Sequence, residues 1–386
     1  MGVHPEARLA DARVGRSLRF LIVALVVLLT MAGSGVADAS PGGRGASEGA
    51  GRSASAGEPK GGPPVTVMTR NIYLGSELGP VFAAQSEEEL VAAASQVWAN
   101  VLASDFPARA KVLADEVAAD RPLIIGLQEV SLWTAVGATG TIEIDFLEVL
   151  LDALTARGLA YEAVSVSDAF EGTLPAIDPT LGFVMATLLD RDVILVRSDV
   201  PPAQLTVLHE ETGLFDAALE LPVLGQPLRV DRGWNLIDVR VRNRTFRVVN
   251  SHFEAFDPDE FIRVQQAQEL LDGPLDTELP VVLLGDFNSN ANANGLAYGI
   301  LMKDGGFEDA WSTANPDDPG LTCCHDADLK NDEVDLRSRI DLILVRDGVR
   351  IRAAEVIGID PAMRTPSGLW PSDHAGVVAR LMITGR

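Results

Sequence analysis

Residues 281–288 read VVLLGDFN: four aliphatic residues, a glycine, then a carboxylate, an aromatic ring and an amide. Four large apolar side chains without polar alternation suit a strand buried on both faces, because a half-exposed strand alternates. Asp286 and Asn288 then stand where that strand ends, and a core accepts such groups only with partners. The same juncture recurs outward along the chain. Upstream, residues 238–250 read as a hairpin, with DVRVR and TFRVVN flanking the turn-prone Asn243 and Arg244, and its second strand leads to His252. Downstream, residues 339–345 (RIDLILV) form a strand carrying Asp341, and residues 375–382 close the chain just after Asp373 and His374.

Toward the N-terminus, residues 65–73 (VTVMTRNIY) are β-rich and hold Asn71. Residues 123–130 (LIIGLQEV) are a short apolar run ending at Glu129, and residues 192–197 (DVILVR) are a further strand. Apolar residues recur at helical spacing over 87–103, 108–119, 146–156 and about 259–271. Many strands with a few helices between them imply two packed sheets covered by helices. No fixed-period repeat and no internal low-complexity linker divides residues 65–386, which reads as one large domain.

Composition narrows the function. Apolar residues make up 47% and charged residues 22%, which excludes a wholly disordered polymer and a multispanning membrane protein. Thirty-one basic residues face 55 acidic ones, a net charge of −24, which excludes a histone-like or ribosomal role. The 2 cysteines are the neighbours Cys323 and Cys324, so there is neither a disulfide framework nor a four-cysteine zinc site.

Singly, each polar residue at a strand end has an ordinary explanation. Asn71 could cap a turn, and Glu129 or Asp341 could be paired structural carboxylates. Asn71, Glu129, His252, Asp286, Asn288, Asp341, Asp373 and His374 together imply one polar pocket at the strand ends. Carboxylates, amides and two imidazoles are also what phosphodiester hydrolysis requires. Something must neutralise the non-bridging oxygens, something must orient or deprotonate water, and something must protonate the leaving oxygen.

The segments TRNIYLG, LQEV, RDVILVR, VVNSHFEAF, LLGDFNS, RIDLILV and SDHAGV, in this order, resemble the endonuclease/exonuclease/phosphatase superfamily of metal-dependent phosphoesterases. That superfamily includes deoxyribonuclease I, abasic-site endonucleases, bacterial sphingomyelinases and inositol polyphosphate phosphatases. The specificity lies in GDFN followed by a strand aspartate and then SDH. The resemblance implies a four-layer α/β sandwich, two packed, mostly antiparallel sheets flanked by helices, with the site at one end. It also implies that Glu129 is the principal ligand of Mg²⁺ or Mn²⁺, with Asn71 nearby and Asp373 approaching the ion. Asp286 would orient or deprotonate water, and Asn288, sharing a face with it on an extended segment, would bind a phosphoryl oxygen. His374 would act with Asp341, and His252 would donate from the opposite side. Relatives have a glutamate before the DVILVR-like strand that supports the first histidine. Here Asp190 or Asp192 stands in its place; Asp190 is preferred, and the alternative is that both merely flank Arg191 in a surface pair.

The implied protein is a phosphodiesterase acting on nucleic acid or on phospholipid. A binding module that keeps the fold without catalysis is the competing class, and the presence of Glu129, His252, Asp286 and His374 argues against it. Residues 1–39 read as an export signal. Arg13, Arg16 and Arg19 precede an apolar run over 20–31 that is too short to span a bilayer, and Ala37, Asp38 and Ala39 form a small-residue cleavage site. The expectation is a secreted chain with no stable membrane insertion after processing; an uncleaved anchor is the alternative. Residues 40–64 are a Gly/Ser/Ala/Pro tether. No obligate protein partner is inferred.

Four further features are open at this stage. Arg229, Arg232, Arg240, Arg242, Arg244 and Arg247 precede His252 and form either a solvated face or a positive rim for a phosphate-bearing substrate. Cys323, Cys324 and His325 invite a zinc reading, against which ligand spacing argues; the cysteines are either a vicinal disulfide or two buried thiols. His209 reads as a loop residue. Residues 173–189 are apolar and read as a buried connection rather than a lip beside the site.

Overall fold

A computed structural model describes residues 62–385, so the export signal, its cleavage site and nearly all of the tether lie outside the described residues. The chain begins with β1 (Pro64–Asn71), α1 (Gly79–Phe82), α2 (Glu87–Ala103), α3 (Phe106–Asp120) and β2 (Ile124–Gln128). A hairpin of β3 (Leu132–Gly137) and β4 (Gly140–Asp145) leads to α4 (Phe146–Ala156), then to a long hairpin, β5 (Tyr161–Asp178) and β6 (Gly182–Arg197). Next come β7 (Leu205–Leu214), the small hairpin β8 (Leu219–Val223) and β9 (Gln226–Val230), β10 (Gly233–Val241) and β11 (Arg244–His252). The last part holds α5 (Phe261–Asp272), β12 (Val281–Asp286), α6 (Leu296–Lys303), β13 (Glu308–Asp309) and α7 (Ala310–Ala314). It ends with β14 (Asp341–Arg346), β15 (Val349–Ile357) and β16 (Gly376–Ile383).

One sheet runs β15-β16-β1-β2-β6-β3-β4, with β5 also paired to β6, and the other runs β13-β14-β12-β11-β10-β7. In these sheets only β1 with β2 and β11 with β12 are parallel. Parallel neighbours need a long crossover, and helices α1 to α3 in one case and α5 in the other supply it. Three apolar clusters fill the spaces between layers. Trp98, Val101, Leu113, Phe146 and Leu150 pack helices onto the outer face of the first sheet. Val67, Ile194, Ile237, Val248, Leu284 and Ile343 fill the gap between the sheets, and Leu270, Leu301, Val249 and Leu283 seat α5 and α6 on the second. The result is the four-layer α/β sandwich with two mostly antiparallel sheets. It explains why β2 and β12 are buried at every position: each is covered on one face by helices and on the other by the opposite sheet.

Residues 173–189 are neither a buried connection nor a lip, but the outer arm of the β5–β6 hairpin. Ala176, Val184 and Ala186 face the core, while Ile177 and Phe183 are exposed, the period-two pattern of a strand. His209 lies on β7 and not in a loop, exposed beside Glu211. Among the described residues no helix is long and apolar enough to cross a membrane.

Candidate active site

The ends of three adjacent strands set three functional groups in a row. His252, the last residue of β11, pairs with Asp286, the last of β12, and Asp286 pairs with Asp341, the first of β14. Asp286 Oδ2 lies 3.6 Å from His252 Nε2 and 3.7 Å from His374 Nδ1. His374 Nδ1 is 2.9 Å from Asp341 Oδ2. From the other sheet, Asn71 Nδ2 donates to the same Asp286 Oδ2 at 3.1 Å and to Glu129 Oε1 at 3.0 Å. One carboxylate oxygen is therefore the meeting point of both histidines and both sheets.

Two of these residues leave their strands in the left-handed region. Glu129 has φ +59° just past β2, and Asn288 has φ +48° just past β12. Such a backbone costs of order 1 kcal/mol for a residue with a Cβ and persists only where surrounding contacts enforce it. At Glu129 the contacts are Asn71 on Oε1 and the Leu74 N–H, which Oε2 accepts at 2.7 Å. At Asn288 the backbone N–H donates to Asp286 Oδ1 at 3.0 Å and the side-chain amide to the Phe253 carbonyl at 3.0 Å. Asn288 therefore does not share a face with Asp286 on an extended segment; a left-handed turn folds it back over the aspartate.

Several supporting residues carried no motif signal. Arg70 and Glu116 form a buried ion pair at 3.0 Å, and Arg70 Nη1 also donates to the His374 carbonyl oxygen. Arg109, fully buried, donates to the carbonyls of Ile72 at 2.7 Å, Pro371 at 3.0 Å and Tyr73 at 3.1 Å. Two arginines thus tie the segment leaving Asn71 to the segment entering His374. Beneath the site, Gln128 Nε2 donates to Asn250 Oδ1 at 2.6 Å, and Asn250 Nδ2 to Asn235 Oδ1 at 3.1 Å, joining the two sheets through amides. The signal available in the sequence was polarity inside apolar runs, at Gln128 in LIIGLQEV and Asn250 in RVVNSH.

The support of His252 differs from the expectation in kind. Arg232 Nη1 approaches His252 Nδ1 at 3.2 Å. A guanidinium has only donors, so Nδ1 accepts and the imidazole proton sits on Nε2, facing Asp286. Asp190 reaches His252 only through this arginine, at 3.6 Å from Arg232 and 3.4 Å from Ser131 Oγ. Of the two aspartates, Asp192 is the one that approaches the imidazole itself, 4.0 Å from Nδ1. Neither aspartate pairs with Arg191, whose partner is Asp145 at 2.6 Å. Arg232 also approaches Glu254 at 3.5 Å, so one cation serves several buried acids.

Electrostatics separate the two histidines. Burial, the Arg232 charge and His374 hold the His252 pKa well below the ordinary value. At His374 burial works the same way, but Asp341, Asp373 and Asp286 outweigh it and raise the pKa well above that value. Burial and Asp341 raise Asp286; burial and Asp190 raise Asp192; burial and Glu129 raise Asp373. Such an excess of buried carboxylates is what a divalent cation would relieve.

The donor set fits a hard cation. Glu129 and Asp373 press on each other electrostatically and would hold it with water completing the shell, the arrangement Mg²⁺ favours. Asn71 takes a different part, since its nitrogen faces Glu129 and its oxygen accepts the Tyr73 N–H at 2.9 Å. It stands as a spacer between two carboxylates and would reach an ion only through the second lone pair of Oδ1. Asp286, Asp341 and His374 also converge, with ligand atoms within 4.8 Å of one another. With His374 Nδ1–H given to Asp341, that nitrogen has no lone pair for a metal, and the trio reads as a proton-holding unit.

The arginines do not form a rim. Arg244 opens β11 and His252 ends it, so eight residues at about 3.3 Å each put roughly 26 Å between them. Arg240 and Arg242 belong to the same far turn, and Arg247 pairs with Asp238 at 2.7 Å. Arg229 pairs with Asp231, leaving Arg232 as the member of the cluster in contact with the site. His325 stacks on Trp370 with ring centroids 4.4 Å apart. The side chains of Cys323 and Cys324 lie together, and the histidine facing them is His374, with Nε2 3.8 Å from Cys324 Sγ.

Known proteins give the same picture of the fold. A protein from Bacteroides thetaiotaomicron described as an endonuclease/exonuclease/phosphatase family protein superposes with a TM-score of 0.51 at 18% identity, over 83% of this chain and 98% of that one. A family protein from Leptotrichia buccalis superposes with a TM-score of 0.51 at 17% identity, over 82% and 99%. No curated protein sequence matches this one. The model of the Endonuclease/Exonuclease/phosphatase family matches residues 97–374, which span β2 with Glu129 through to His374. With most of its length inside that match and its strand ends meeting at one carboxylate, the chain belongs to the endonuclease/exonuclease/phosphatase family.

Proposed function

We propose that this chain is an exported phosphodiesterase that works with a bound divalent cation, Mg²⁺ or Mn²⁺. The observation that carries the reading is the single oxygen of Asp286 shared by His252, His374 and Asn71. The cation supplies positive charge against the non-bridging phosphate oxygens. Asp286 holds the attacking water and takes up its proton, a part that suits a buried carboxyl raised above its usual range. His252, neutral and fixed by Arg232, offers Nε2–H to a phosphoryl oxygen as charge grows there. His374, its Nδ1–H held by Asp341, passes a proton to the leaving oxygen from Nε2.

The substrate is a phosphodiester of nucleic acid or of phospholipid. Loss of the arginine rim removes the electrostatic argument that favoured nucleic acid. An aromatic pair lies beyond the strand end: Phe256, on the loop four residues past His252, lies edge-to-face with Phe82 at the end of α1, 5.3 Å between ring centroids, and is 42% exposed. A flat base or an acyl-bearing headgroup would each find contact there. The test is a panel of plasmid DNA, single-stranded RNA, sphingomyelin vesicles and a small phosphodiester, each with Mg²⁺ and with EDTA. Mg²⁺-dependent cleavage of at least one phosphodiester supports the reading. Activity confined to a soluble phosphomonoester overturns it.

A further inference from the structure

Glu254 is a buried carboxylate that the hydrolytic reading leaves unused. It stands two residues past His252, on the loop that carries Phe256, and is 0% exposed. Its backbone is fixed from α5: the Glu254 N–H donates to Gln266 Oε1 at 2.9 Å, and Arg263 Nη1 donates to the Glu254 carbonyl at 3.1 Å. Its side chain faces two ways. Oε1 accepts the Phe256 N–H at 2.9 Å, and Oε2 lies 3.5 Å from Arg232 Nε. Among the described residues neither that oxygen nor that nitrogen has a hydrogen-bond partner, so each buried charge is compensated there by the other. The far end of the same guanidinium meets the imidazole. Arg232 Nη1 lies 3.2 Å from His252 Nδ1 and 3.6 Å from Asp190 Oδ2, while Asp192 Oδ1 stands 4.0 Å from Nδ1. His252 Nδ1 thus has a donor and an acceptor close by, and the position of Arg232 decides which of them it meets.

We propose that Glu254 is a positioning residue for His252: its carboxylate anchors Arg232 so that the guanidinium, rather than Asp192, meets Nδ1 and keeps the ring the neutral Nε2–H donor. The effect on rate rests on the phosphodiesterase reading; the effect on the ring proton does not. A carboxylate has an acceptor for each of two donors, here the Phe256 N–H and Arg232 Nε–H. An amide at this position has a single acceptor oxygen, so that serving Phe256 turns its NH₂ toward the guanidinium, donor against donor. Arg232 is then left with Asp190 as its anchor and is drawn from the ring. Once it leaves, Asp192 draws a proton onto Nδ1, taken from Nε2 or from solvent, and the ring is no longer the neutral Nε2–H donor aimed along the row of strand ends. The same carboxylate, through Oε1, ties the loop bearing Phe256 to this arrangement.

The test uses the full chain with ¹⁵N-labelled histidine and reads the imidazole nitrogens by long-range ¹H–¹⁵N correlation at neutral pH, His252 being assigned by its loss in His252→Ala. Wild type is expected to show an unprotonated Nδ1 and a protonated Nε2. Glu254→Gln should show a protonated Nδ1, and Arg232→Met the same. On bis(p-nitrophenyl) phosphate in Mg²⁺, Glu254→Gln should lower kcat about fivefold or more. Added to Arg232→Met it should lower kcat no further, because the anchor has nothing left to hold. A role confined to the fold or to the Phe256 loop would leave Nδ1 unprotonated and multiply the two losses. Should Glu254→Gln fold poorly, Glu254→Asp, which draws the carboxylate back by one methylene, should show a smaller protonated Nδ1 population. A protonated Nδ1 in wild type, an unprotonated Nδ1 in the folded Glu254 variant, or losses in kcat that multiply would each overturn the proposal. The change at Nδ1 in a chain whose wild type hydrolyses no phosphodiester would uphold the positioning role and overturn the phosphodiesterase reading instead.

Discussion

Arg232 donates from Nη1 to Nδ1 of His252, 3.2 Å away, and this bond decides which nitrogen of that imidazole carries the proton. A carboxylate on Nδ1 would favour an imidazolium. A guanidinium there favours the neutral ring with Nε2–H aimed at Asp286, while His374, ringed by carboxylates, is the imidazole that holds charge.

Arg232→Met should therefore damage both function and fold. Without the guanidinium, His252 loses its orientation, and kcat should fall about 10-fold or more. Asp190 and Glu254 lose their cation, so unfolding in urea should show a loss of about 3–5 kcal/mol. An unchanged kcat in a folded variant would make Arg232 a structural residue only.

The histidines should be distinguishable by pH. His252→Ala and His374→Ala should each lower kcat by about 10²-fold with the circular dichroism spectrum unchanged. Because the folded pKa of His374 is raised, its proton is present below that value and is lost as pH rises through it. The wild-type rate should thus fall on the alkaline side, well above the ordinary histidine range, and His374→Gln should remove that limb. A limb that persists in His374→Gln belongs to another group.

Glu129→Gln should leave the fold in place, because the amide oxygen still accepts the Leu74 N–H, while Asn71 Nδ2, now facing an amide nitrogen, keeps its bond to Asp286. Its effect should appear as a raised Mg²⁺ requirement, measured by titrating rate against metal. Wild-type Mg²⁺ dependence in the variant would move the cation elsewhere.

Glu116→Leu leaves Arg70 buried without its partner, at a cost of about 3–5 kcal/mol in thermal or urea unfolding. Since Arg70 also holds the His374 carbonyl, the surviving folded protein should show a lowered kcat with little change in KM. A stability loss with kcat intact would limit the pair to the core.

What the sequence discloses follows from how each feature is encoded. Strands such as 281–286 and helices such as 87–103 announce themselves through periodicity, and the GDFN and SDH segments mark strand ends, so the layers and the row of polar residues are legible. Partnership across space is not. Asp190 and Asp192 are equivalent in sequence, and only the fold puts Asp192 near His252 and Arg232 between Asp190 and that ring. Arg240, Arg242 and Arg244 are neighbours in sequence, but the chain turns between β10 and β11 and leaves them at the far end of the sheet. The left-handed backbone at Asn288 likewise has no glycine to signal it, because Asp286 and Phe253 enforce it through hydrogen bonds.

The central claim is that Asp286, shared by the two histidines, drives cation-dependent phosphodiester hydrolysis. The most direct measurement is the initial rate of bis(p-nitrophenyl) phosphate hydrolysis by wild type and Asp286→Asn, each in Mg²⁺ and in EDTA. Wild type should be active in Mg²⁺ and silent in EDTA, and Asp286→Asn should be slower by about 10²-fold or more in Mg²⁺. Wild-type activity retained in EDTA, or an Asp286→Asn rate close to wild type, would contradict it.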